Sequence, residues 1–327
     1  MEYYNNTDHL TINELSELRG TLDTYGAAVV PNVISSEECE EGYTGMWNYF
    51  EHITSDWDLP LKRDNQESYR EFWKLYPKHS MLIQNWQAGH AQYVWDLRQN
   101  PKIVDIFAGL FDKEKEEMLV SFDGVSLHLP PEITRKGWYR GNNWHHTDQS
   151  FTRPNFECIQ GFISLRDIEP GDATLSIFEG SHKHHKEFAD TFNITDKKDW
   201  FKLCKDEEHF NFYEDQGCVE RRLTCKAGSL VLWDSRTIHC GVEPVKNRPS
   251  PNTRSIVYVC YMPRELSTEK LLNKKRTAFE NLRMTSHWPA NPKLFPKNPQ
   301  TYGKELPEIN PIEPPLLSDL GKKLAGY

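Results

Sequence analysis

A mainly β core carrying helices, an α+β arrangement, is the fold class this sequence predicts, and three observations carry that reading. From residue 118 to about 262, short apolar segments recur, each closed by a turn signal. Before residue 118 the chain is rich in Trp, Leu and charge, with apolar residues at helical spacing. From about residue 289 onward prolines stand at 289, 292, 296, 299, 307, 311, 314 and 315, a composition suited to extended chain.

The elements follow in order. Residues 11–25 read as an amphipathic helix with Leu15, Leu18 and Leu22 at helical spacing, Thr11 or Asn13 as cap and Gly26 as stop. Ala27-Ala28-Val29-Val30, halted by Pro31, reads as a strand. Ser35-Ser36-Glu37-Glu38 opens a second helix, its acids facing the positive end of the helix dipole. Residues 45–115 read as mostly helical, with loops near Pro60, Pro77 and Pro101. Strands are predicted at 118–122, 125–129, 158–165, 173–178, 229–233 and 254–261. Between them stand turn signals such as Pro170-Gly171-Asp172, Glu179-Gly180-Ser181 and Ala227-Gly228. Short strands punctuated in this way make a sandwich or a small barrel. Residues 183–222, charged and aromatic, read as a helical or loop insertion. The expected organisation is one domain over 1–327: N-terminal helical support at 10–117, a β core at about 118–262 and an extension at 263–327. The Pro-rich tail would wrap the surface in extended form or be partly mobile.

Composition bounds the function. Hydrophobic residues make up 37% of 327, enough for a core and too many for wholesale disorder. The net charge of −9 argues against non-specific binding to nucleic acid or a membrane surface. The densest basic run, Lys274-Lys275-Arg276, reads as a solvated helix face. Seven cysteines, an odd number without a CxxC pair, favour free thiols over a disulfide framework or structural zinc. Met1-Glu2-Tyr3-Tyr4-Asn5-Asn6 lacks the basic start and apolar run of a secretory signal. No stretch approaches the ~18 apolar residues of a membrane helix, so a soluble, cytoplasmic protein with no membrane partner is expected.

The chemistry centres on Trp144-His145-His146-Thr147-Asp148. Residues two apart on a strand share a face, so His146 and Asp148 would set an imidazole beside a carboxylate. His239, in Trp233-Asp-Ser-Arg-Thr-Ile-His239, is the best third ligand. Two histidines and one carboxylate suit Fe(II) and leave coordination positions open. Arg254, at the start of the next strand, could grip a dianionic co-substrate by its far carboxylate through two parallel hydrogen bonds.

These residues carry a resemblance. Residues 25–39, Tyr-Gly-Ala-Ala-Val-Val-Pro-Asn-Val-Ile-Ser-Ser-Glu-Glu-Cys, resemble the opening helix, strand and helix of the phytanoyl-CoA dioxygenase family. The likeness continues through His146-Thr-Asp148, the stretch from Leu165 to Gly180-Ser181-His182, and Gly228-Ser-Leu-Val-Leu-Trp233 to His239 and Arg254. It implies a double-stranded β-helix (jelly roll, cupin-like), iron(II) at His146, Asp148 and His239, and 2-oxoglutarate as co-substrate on Arg254. It also implies oxygen as reactant, succinate and CO2 as products, and a small-molecule or acyl/amino-acid-type substrate. Related halogenases lack the carboxylate, so Asp148 favours hydroxylation. One departure is Glu179, where the family has Pro before Gly-Ser-His.

Further pocket residues are expected on strand parity. Ser126 and His128, Gln160 and Thr237 are candidates for the co-substrate side, and Trp144 and Phe162 for the substrate side. Ser164 shares the parity of Gln160, and Asp234 and Arg236 are placed to pair with each other. His145 has the wrong parity for a ligand. His182, His184 and His185 read as a solvated loop ahead of a second metal site. Two rivals stay open: a non-catalytic ligand-binding protein on a jelly-roll fold, and a zinc or iron hydrolase in which Arg254 has no role.

Overall fold

The computed structural model describes residues 6–141, 144–204 and 208–327, so the reading of the first five residues lies outside the described residues. The N-terminal third follows its local signals. Helix α1 (Leu18–Tyr25) ends on Gly26 at φ +79°, a backbone conformation glycine adopts without strain. Strand β1 (Ala27–Val30) follows, then α2 (Ser36–Ile53), which Ser35 and Glu38 open with a reciprocal capping box. Residues 45–115 are less helical than expected. A 3-10 segment, Gln66–Leu75, precedes a two-residue strand β2 (Leu82–Ile83), and only then come α3 (Gln92–Arg98) and α4 (Pro101–Leu110).

The core runs β3 (Met118–Val120), β4 (Val125–His128), a short α5 (Pro131–Thr134), β5 (His146–Thr147), β6 (Ile159–Ser164) and β7 (Thr174–Glu179). The expected insertion holds α6 (His185–Thr191), β8 (Phe201–Lys202), α7 (His209–Asp215) and β9 (Val219–Arg222). The chain closes with β10 (Leu230–Asp234), β11 (His239–Val242), β12 (Arg254–Pro263), α8 (Glu269–Glu280) and α9 (Asp319–Ala325). Among the described residues, one sheet has the order β1-β10-β6-β12-β4-β2, with β3 on the end of β12, and the second has the order β8-β5-β11-β7-β9. All named pairings are antiparallel, which makes the two-sheet jelly-roll arrangement the strands predicted.

Register decides which side chains meet between the sheets. Trp233 lies opposite Gln160, Phe162 opposite Tyr258, and Arg254 opposite His128. With a period of two, all of these face the second sheet. There Ala27, Val29, Phe162, Val231, Trp233 and Ile256 pack against Leu175 and Ile177 of β7. The opposite parity, Leu127, Ile163, Leu232 and Val257, packs under Trp47, Trp95 and Phe107 from α2, α3 and α4. β1 thus belongs to the core sheet although it lies outside residues 118–262.

The Pro-rich tail beyond residue 289 lies in extended form against the helical side and is anchored there. Asn310 N donates to Ile53 O at 3.0 Å, and Leu316 N to Gln92 Oε1 at 2.7 Å. It ends in α9, with Leu324 and Ala325 fully buried. Lys275 departs from the solvated-face reading. It follows Leu272 and precedes Ala278 at i+3 spacing, which turns it inward; its Nζ donates to Val120 O and lies 4.0 Å from the Phe122 ring. All seven cysteines are free thiols. Among the described residues no helix is long and apolar enough to cross a membrane.

Candidate metal centre

Strand pairing brings the two histidines together. His239, the first residue of β11, sits directly opposite His146 on β5, with ring centroids 4.4 Å apart. Asp148 stands one residue past β5, held by Asp148 N donating to Ser235 O at 3.1 Å and by Thr147 Oγ1 donating to the same carbonyl at 3.0 Å. His146 Nε2 is 3.5 Å from Asp148 Oδ1, and His239 Nε2 is 3.3 Å from Asp148 Oδ2. One ligand atom from each residue falls within a 4.8 Å cluster.

The far side of each ring is fixed. His146 Nδ1 meets Trp144 O at 3.1 Å and His239 Nδ1 meets Thr237 O at 2.8 Å. A carbonyl only accepts, so Nδ1 carries the proton and the Nε2 lone pair of each ring points at the cluster. Burial pushes His146 below the usual imidazole range, opposed by Asp148 and assisted by His239. At Asp148 burial works against ionisation, yet the electrostatic influence of the surrounding His146, His287 and His239 holds the carboxyl well below its ordinary range. A neutral imidazole beside an ionised carboxylate is the protonation state a divalent cation needs. Gln160 Nε2 donates to Asp148 Oδ2 at 3.1 Å.

The Gly-Ser-His stretch supports this centre from outside. Ser181 Oγ accepts from Ile238 N at 2.8 Å, immediately before His239. Glu179, standing for the family's proline, pairs with Arg221 at 2.9 Å. His182, His184 and His185 turn to three separate partners, Asp23 O, Glu187 and Ser150 O, and do not converge. His182 and His185 are buried rather than solvated. His145 points the other way, to Ser176 Oγ at 3.2 Å.

Arg254 is buried on the inner face of β12. Its Nη1 donates to Ser126 Oγ at 2.7 Å, and its Nε and Nη2 have no hydrogen-bond partner. A buried guanidinium with an unsatisfied edge fits an anionic ligand. His128 lies opposite Arg254; burial pushes it down to about 3, so it adds no competing charge. Asp234 and Arg236 pair at 2.7 Å. Thr237 and Phe162, both expected in the pocket, are engaged elsewhere. The Thr237 hydroxyl donates to Gly26 O at 2.8 Å, leaving only its carbonyl to serve the centre. Phe162 is fully buried in the inter-sheet core, with the Arg254 guanidinium 5.5 Å from its ring, because its register places it under Tyr258 and Val231.

A cavity of about 480 Å³ opens on the cluster. Trp144, His146, Asp148, Gln160 and His239 line it, whereas Ser126, His128, Phe162, Thr237 and Arg254 are not among its lining residues. Sequence reading missed Trp200 from the insertion, Tyr258, and Ser286, His287 and Trp288 from the extension, which also line it. His287 Nδ1 is 3.9 Å from Asp148 Oδ2. The one available signal was the pair His287-Trp288 in an otherwise polar, Pro-rich segment.

Comparison with known proteins places this geometry. "Ava biosynthesis cluster protein O" from Aspergillus versicolor is 33% identical over 208 residues, 61% of this chain and 64% of that protein. The chain thus spans less than two thirds of that relative's length. The hypothetical protein JW0805 from Escherichia coli superposes with a TM-score of 0.58 at 14% identity, over 97% of this chain and 85% of that one. SnoK, described as a non-heme alpha ketoglutarate dependent carbocyclase from nogalamycin biosynthesis, gives 0.50 at 16% identity, over 77% and 85%. At these identities the structures share the fold. The sequence model of phytanoyl-CoA dioxygenase (PhyH) matches residues 22–243, a stretch that encloses His146, Asp148 and His239, and the chain belongs to this family of iron(II)- and 2-oxoglutarate-dependent enzymes.

Proposed function

We propose that this protein is an iron(II)- and 2-oxoglutarate-dependent dioxygenase that hydroxylates a small organic molecule, with release of succinate and CO2. The observation that carries the reading is the pair of Nε2 atoms aimed at Asp148, each ring locked from behind by a backbone carbonyl. Three ligands on one side of an ion leave the other side open to the keto acid and oxygen. Bound iron supplies the oxygen activation and hydrogen abstraction, and oxidative decarboxylation of the keto acid supplies the electrons.

The side chains hold and orient. His146, Asp148 and His239 fix the ion. Arg254 receives the distal carboxylate of 2-oxoglutarate on its unpartnered Nε–Nη2 edge, while Ser126 holds the opposite edge at Nη1. Trp144, whose indole Nε1 donates to Gly241 O at 2.8 Å, stacks on His146 and keeps bulk water off that ligand.

The test is 2-oxoglutarate turnover to succinate by anaerobically iron-loaded protein, without added substrate. Slow turnover is expected, lost in His146→Ala/Asp148→Ala. In Arg254→Gln the keto-acid KM should rise about 100-fold, the loss of two charge-assisted hydrogen bonds. No turnover together with no binding of iron or keto acid would replace this reading with a ligand-binding protein on the same fold.

A further inference from the structure

The wall of the cavity facing the metal cluster is built by a segment outside the stretch the family model matches. Residues 284–295 fold back as a loop. Thr285 N donates to Phe122 O and Phe122 N to Thr285 Oγ1, at 2.9 and 3.0 Å. Ser286 N donates to Lys293 O and Phe295 N to Met284 O, which closes the loop on itself. Its tip lays Ser286, His287 and Trp288 along the cavity.

Two features of this wall and its surroundings point to a ligand. The first is aromatic. Four of the chain's ten tryptophans, Trp144, Trp200, Trp233 and Trp288, line this one cavity, with Tyr258 and Phe295. Trp200 is 49% exposed, with its ring 5.8 Å from that of His146. An indole left in solvent at the mouth of a cavity offers a flat face, and flat rings stack on it in offset or edge-on geometry. The second is polar. Ser286 Oγ, His287 Nε2 and Trp288 Nε1, from three consecutive residues, are buried with no hydrogen-bond partner, as is Trp233 Nε1. Buried polar atoms of this kind, the two indole N–H donors among them, are rare and are satisfied by a ligand or by water.

We propose that the prime substrate is a flat aromatic molecule bearing an oxygen acceptor, its ring held at Trp200 and its oxygen read by the Ser286-His287-Trp288 wall. This rests on the dioxygenase reading for the meaning of "substrate", and the binding geometry stands on its own. A branched aliphatic chain would gain burial from this cavity but neither stacking nor the unpaired donors.

The test uses full-length protein loaded with cobalt(II) and 2-oxoglutarate, which is catalytically silent, and isothermal titration with three probes. 2-Naphthol carries ring and oxygen, naphthalene the ring alone, and decahydro-2-naphthol the oxygen on a saturated frame. 2-Naphthol should bind about ten-fold tighter than either single-feature probe. Trp200→Ala should weaken both aromatic probes about five-fold and Trp200→Phe restore them. His287→Ala should weaken 2-naphthol and leave naphthalene unmoved. Equal binding of 2-naphthol and decahydro-2-naphthol, or Trp200→Ala without effect, would overturn the proposal. Circular dichroism of each variant separates these outcomes from misfolding. Failure of keto-acid turnover in the wild type would instead strike the dioxygenase reading and leave these affinities where they are.

Discussion

Asp148 Oδ1 faces His146, whereas Oδ2 faces His239 and also accepts from Gln160. A carboxylate anchored through one oxygen binds an ion without rotating, and groups behind a ligand set its orientation. Gln160→Leu should therefore lower metal affinity about 10-fold to 100-fold with the fold intact. Titration with cobalt(II) against thermal unfolding measures both; unchanged affinity would mean that packing alone holds Asp148. The three cluster residues were legible because a two-residue spacing and a distal histidine are local patterns. Gln160 was legible as one parity of an apolar strand. Phe162 shares that parity yet lies in the core, because parity gives the face of a sheet and not the depth along it. His287 was invisible, since only the fold-back of a distant segment brings it to Asp148.

At the scale of elements, the strands at 118–122, 125–129, 158–165, 173–178, 229–233 and 254–261 were legible from apolar runs and turn residues, and α2 from its cap. β5 and β8, of two residues each, carry no periodicity and exist through their neighbours. β11 has no counterpart among the predicted strands, and it is paired on both sides. α8 hides a buried lysine. Burial, with Arg98 nearby, pushes Lys275 well below the usual ammonium range. With the folded-state pKa below the unfolded one, the unfolded chain binds more protons between the two values, and stability rises with pH through that window. Lys275→Met removes the penalty and should stabilise by about 1–3 kcal/mol at neutral pH, less the hydrogen bond to Val120 O. The gain should shrink as pH approaches the unfolded lysine value near 10. Thermal unfolding of both proteins from pH 6 to pH 10 checks this; a pH-independent difference would contradict it.

Over the whole molecule, the cavity is closed by loops from distant parts of the chain, one in the insertion at residues 198–200 and one in the extension at residues 284–295. Their meeting point is Asp199, which pairs with Arg153 at 2.6 Å and Lys293 at 2.5 Å. The sequence reads as a charged, aromatic insertion and a Pro-rich extension, but charge pairing across 94 residues leaves no local pattern. The two pairs are partly exposed, so they contribute little to global stability, about 0–1 kcal/mol each. Their effect is local: they tie the two segments to each other beside the cavity. Asp199→Asn should leave the unfolding temperature nearly unchanged while hydrogen exchange quickens in 284–295 and 198–202 and nowhere else. High salt should reproduce that pattern in the wild type by screening the same charges, and add little in the variant. If exchange in both loops stays at wild-type rates, the contact of Arg153 with the Trp288 ring at 4.9 Å, rather than Asp199, is what fastens the extension over the metal centre.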